Sequence, residues 1–170
     1  MNSDRFLGQT RRFLAQQYVA KLILSAVVLS GGLTACGGGD ESDPVPIAFV
    51  TVDRGSRSEL SYSEEGFLSR VARSDSEWQA IWLSNYSGNR PPPAPAVDFN
   101  QYMVIGVILG LRSNGCYGIE VREVLLSAEQ VEVVYAELTP NGSGCQAVVV
   151  SPYEFISIPT TTLTVRFRKS

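Results

Sequence analysis

The chain has 170 residues, one domain's worth with room for a targeting segment, and its 14 basic and 17 acidic side chains give a net charge of −3. It contains no histidine and three cysteines. That excludes Ser-His-Asp and Cys-His catalytic sets, His-bearing zinc sites and an all-cysteine zinc site. Hydrophobic residues at 44% against 18% charged predict a folded domain rather than a disordered chain.

The first elements are those of export. Arg5, Arg11, Arg12 and Lys21 form a positive leader, and Leu22 to Leu33 is an uncharged apolar run. That run covers 12 residues, against the roughly 20 a helix needs to cross a bilayer. It fits the apolar core of a signal peptide spanning residues 1–35. The run ends in Leu33-Thr34-Ala35-Cys36, which resembles the bacterial lipobox. The resemblance implies cleavage before Cys36 and a diacylglyceryl group on its thiol. Arg11-Arg12 lacks the spacer of a twin-arginine signal and reads as ordinary positive charge. Gly37, standing where an Asp would suggest inner-membrane retention, favours the outer membrane, facing the periplasm or the cell surface, and leaves the inner membrane open. Removing residues 1–35 leaves 14 − 4 = 10 basic and 17 − 1 = 16 acidic side chains, a net of −6. Such a domain should bind neither nucleic acid nor anionic headgroups through its charge. Attachment would come from acyl chains, at about 0.8 kcal/mol per buried methylene.

Residues 36–46, Gly-rich and acidic, read as a flexible tether. One compact domain is expected from 47 to 170. Its part 47–100 holds strands at Ile47–Val52 and Phe67–Val71, a short helix and a proline-rich connector; 101–170 is a dense β region. Ser74 and Glu77 are spaced as a capping box, and Trp78, Ile81 and Trp82 follow at helical spacing. The tryptophans read as core anchors. Asn89 to Pro95 contains four prolines and is expected to be extended, since proline lacks the N–H donor; the sharper reading is a ligand for an aromatic groove. Further strands are expected at Tyr102–Leu109, Tyr117–Leu125, Val131–Leu138, Gln146–Val150, Glu154–Ile158 and Thr162–Arg168. In the second of these, Val124 breaks the alternation. The fold class is mainly β: a small antiparallel sandwich or roll of about seven to eight strands with one short helix.

Cys116 and Cys145 lie in two glycine-containing turns, Ser113 to Cys116 and Asn141 to Cys145. With Cys36 lipidated and the domain in an oxidising compartment, two thiols are left and a disulfide is expected between them. Free thiols in redox work would want a Cys-x-x-Cys spacing or a basic neighbour, and neither is present.

Gly106 to Gly110, Ser113 to Val121 and Val150 to Pro159 together resemble the C-terminal domain of the PrcB family, with its strand ending in glycine, its Gly-Tyr turn and its late Pro-Tyr. Glu77 to Trp82 and Val97 to Phe99 resemble the segments before that domain. Cys116 departs from the pattern, standing where the second turn glycine would be. The resemblance implies an exported, non-catalytic β domain that accompanies a protease. Its contact surface would be the turns 112–117 and 140–145 with Pro152-Tyr153, so that Asn114, Gly115, Tyr117, Pro152 and Tyr153 are the candidate binding residues. The plainer alternative is that these are sheet turns with Tyr117 and Tyr153 packed at their ends.

A second reading is protease inhibition. Chagasin-type inhibitors have a similar three-loop layout, and the counterparts would be Ser113–Tyr117, Asn141–Gly144 and Ser151–Tyr153. The first lacks that family's proline and threonines, and the third lacks its arginine and tryptophan. An enzyme is not expected: Glu64-Glu65, and Glu120 with Glu123, show no convergence of the kind paired catalytic carboxylates need. No calcium loop is present, and no metal or cofactor is expected.

Overall fold

The computed structural model describes residues 43–57, 66–86, 91–142 and 144–170, all within one compact unit, Gly39–Ser170. The signal segment, Cys36, most of the tether and Glu64-Glu65 lie outside the described residues.

Among the described residues eight strands and one helix follow in order: β1 (Val45–Pro46), β2 (Val50–Arg57), β3 (Leu68–Ala72), α1 (Asp75–Ser84), β4 (Tyr102–Ile108), β5 (Gly118–Leu126), β6 (Gln130–Leu138), β7 (Ser151–Pro159) and β8 (Thr164–Lys169). They form two four-stranded sheets, β1-β5-β6-β8 and β2-β7-β4-β3. The expected sandwich is present. Its one departure from antiparallel pairing is β8, which runs parallel to β6; between the two the chain leaves for β7 in the second sheet and returns to the first.

The alternation in β4 divides the interior in two. Met103, Ile105 and Val107 enter the core between the sheets, with Ile119, Val121, Val131, Val133, Ile156 and Ile158. Val104 and Ile108 point the other way, into a second cluster with Ala72, Trp78, Trp82, Tyr153 and Phe155. The helix and the proline segment therefore form a third layer over the outer face of the second sheet. This explains why β4 reads as a continuous apolar run: both its faces are covered.

The helix begins as its sequence specifies. Ser74 caps it by accepting from the Glu77 amide, and the Glu77 carboxylate accepts from the Arg73 amide at 2.6 Å. Both indoles donate to the connector, Trp78 to the Pro95 carbonyl at 2.9 Å and Trp82 to the Pro92 carbonyl at 2.7 Å. The proline segment thus does meet aromatic rings, but those of its own chain. No helix among the described residues is long and apolar enough to cross a membrane.

Gly106 makes this layer possible. A Cβ there would stand 2.5 and 2.7 Å from ring atoms of Phe155, which is fully buried and packs edge-on against Trp78 with centroids 5.1 Å apart. Gly106→Ala should therefore destabilise the fold by about 2 kcal/mol, within the range for overpacking a core. The urea midpoint reads this directly, and a midpoint equal to wild type would refute it.

One expectation on the strands finds its physical cause and one needs correction. The break at Val124 is a β-bulge, with the register shifting between Val121 and Glu123. Gln146–Val150 is not a strand: only Val150 bridges, to Arg112. The Gln146 carbonyl accepts from both Gly115 and Val148, so the backbone turns there instead of extending.

Candidate functional site

The loops 113–117 and 144–149 lie side by side at one end of the sandwich, beyond the last rungs of β4 and β7. The sulfurs of Cys116 and Cys145 are bonded, with Cα atoms 5.4 Å apart. The Gly115 amide donates to the Gln146 carbonyl at 3.0 Å, and Arg112 and Val150 exchange two backbone bonds. The Asn114 side chain accepts from the Cys116 amide at 3.0 Å, closing an Asx turn. Gly144 has φ +112°, open to glycine and strained for other residues. Gly115 and Cys116 are exposed, while Asn114 and Tyr117 are half-buried. Leu138 and Val149, also at this end, are exposed large apolar side chains. Loop-borne, tied by the disulfide and partly apolar, this is a surface suited to contact.

Its base is clamped across the two sheets. Arg112 donates to Glu137 at 2.6 Å and to the carbonyls of Leu109 and Leu111, and Lys169 donates to the other Glu137 oxygen at 2.7 Å. The bonds from Arg112 and then Lys169 outweigh burial and pull the Glu137 carboxyl from 4.5 down to about 2. A carboxylate depressed on folding stabilises fully above its unfolded value and loses that contribution as pH falls through its folded one. Thermal midpoints of Glu137→Gln should therefore decline less than those of wild type between pH 4.5 and about 2. Parallel declines would rule out the clamp.

Pro152 and Tyr153 do not belong to the surface. Both are buried in the first residues of β7. Tyr153, 2% exposed, lies on the helix-covered face and uses its hydroxyl internally, donating to Asp53 at 2.8 Å and accepting from Arg57 at 2.5 Å. Burial and the Asp53 bond raise its pKa well above the usual range. The Arg57 guanidinium in turn lies 3.5 Å over the Tyr86 ring. Tyr153 thus joins β2 to the end of the helix and cannot reach a partner. The same placement removes the third loop of the inhibitor layout, since Ser151–Tyr153 is buried strand. Glu120 and Glu123 lie on either side of the β5 bulge, with Glu120 paired to Arg122 at 2.9 Å.

One residue carries more than the sequence suggested. Glu154 is fully buried, on the β7 face that looks into the sandwich. One carboxylate oxygen accepts from Thr51 at 2.9 Å and Arg54 at 2.6 Å; the other accepts from the Val121 amide at 2.6 Å, beside the β5 bulge. A second bulge, between Thr51 and Asp53 in β2, lies between its two side-chain donors. Among the described residues no group of three or more Cys, Asp or Glu side chains could hold a metal ion.

No known family model matches this chain, and no curated protein or solved structure matches it either.

Proposed function

We propose that the mature chain is a lipid-anchored, non-catalytic binding subunit on a bacterial membrane, the outer membrane first. The lipobox at Cys36 supplies the anchor and the disulfide-tied loops supply the contact surface. The observation that carries this reading is polarity. Val45, the first strand residue after Cys36, pairs with Leu126 at one end of β5, whereas the loop 113–117 runs into Gly118 at the other. Nine strand residues separate the two ends by about 27 Å, so the chain enters the domain at the end opposite the loops. The PrcB resemblance makes an exported protease the partner to test first.

Capture from the protein's own membrane, followed by mass spectrometry, tests the surface. Wild type should retain a partner that Gly115→Arg loses. Gly115 has room for this change, its nearest neighbour to a Cβ being Val148 at 3.5 Å. Equal recovery with both would sink the assignment. For the anchor, Cys36→Ala should be released or left unprocessed; protein that stays membrane-bound at the mature size would refute it.

A further inference from the structure

The entry end of the sandwich carries its own apolar surface. Val45, Val50 and Tyr102 are 55%, 66% and 41% exposed. Val50 and Tyr102 border an open cleft of about 330 Å³ on the outer face of the second sheet, lined also by Val52, Pro95 and Val97, with Asp98 among its walls. Both lie toward the end away from the disulfide, for Tyr102 pairs with Pro159 and Val50 with Ser157 at the far end of β7.

Nine residue steps separate Cys36 from Val45, a reach of at most about 30 Å however the chain runs. Resting on the reading that Cys36 is acylated, we infer that this cleft seats on the surface of the lipid bilayer holding the acyl chains. The anchor makes the contact intramolecular, so a small apolar area suffices to hold it. Tyr102 has the amphipathic ring that favours the interface. Asp98 is kept ionised by bonds from Gln101 and Asn100. Together with the net charge of −6, this selects a zwitterionic surface over an anionic one.

The test uses the processed, acylated chain in vesicles of phosphatidylcholine brominated on its acyl chains, with a tryptophan at position 102 or 138. Trp78 and Trp82 are buried and give the same background in both. Fluorescence of Tyr102→Trp should be quenched several-fold more than that of Leu138→Trp, at the opposite end, and Val50→Asp should reduce the difference. Equal quenching with Cys36 acylated, verified by peptide mass, overturns the contact alone. An unmodified Cys36 overturns both readings. A lipid-free dimer that Val50→Asp abolishes would assign the face to a second copy and overturn the lipid contact.

Discussion

Glu154→Ala should cost the domain about 3 kcal/mol, because it strands a buried hydrogen-bond donor, the Val121 amide, and leaves a cavity in a fully buried site. The Val121 amide sits beside the β5 bulge and the Thr51 hydroxyl lies on the neighbouring strand, both bonded to this carboxylate. Thr51 and Arg54 lose less, since both are exposed and water can take over. The Coulombic attraction is therefore the smaller part, and the unsatisfied amide the larger. A double-mutant cycle separates them: Arg54→Ala should cost measurably less in the Glu154→Ala background than alone. Urea titration of the four proteins gives the numbers. A loss below about 1 kcal/mol for Glu154→Ala, the size of an ordinary substitution, would show that the bulge amide finds another acceptor.

Removing the disulfide should have a comparable effect. The bond closes a separation of 29 residues, for which restriction of the unfolded chain gives about 3–4 kcal/mol. The Cys116→Ser, Cys145→Ser double variant should unfold at a correspondingly lower denaturant concentration, and reductant should bring wild type to the same midpoint. The core between the sheets should persist, since β4, β5, β6 and β7 pair without help from either sulfur. Amide exchange would then rise in 113–117 and 144–149 while the Val133 and Ile156 amides stay protected. Matching protection in both loops with and without the bond would mean that the backbone bonds alone order them.

What could be read in the sequence follows the range of the interactions. The capping box at Ser74 and Glu77, the tryptophan stripe and the apolar run of β4 are local patterns, and the structure bears them out. Val124 registered as a break in alternation because a bulge shifts every later side chain by one. The pairing of Cys116 with Cys145 needed only a count of thiols and a compartment. Reading failed where the decisive partner is distant. Pro152-Tyr153 looked like a turn because proline usually ends strands, yet the Pro152 carbonyl accepts from Leu109 and the strand continues through it. Glu154 reads in the sequence as the first residue of a strand, with no local sign of its burial. Its donors at 51, 54 and 121 lie 103, 100 and 33 residues away, beyond any local pattern. The contact surface was half legible: its glycines and cysteines were marked, but burial alone removed Pro152 and Tyr153 from it.

The order of strands in the second sheet bears on when the domain can form. β7 lies between β2 and β4 but is the second-to-last strand in the sequence. Until it has been made, β2 has no neighbour and β4 only β3. The first sheet likewise lacks β8 until the final residues arrive. Such late, long-range pairing slows folding. For a chain threaded unfolded through an export channel, as proposed here, that delay is useful. The segments that leave first cannot collapse into a stable sheet, and assembly waits for the far side of the membrane, where the two thiols can also be oxidised.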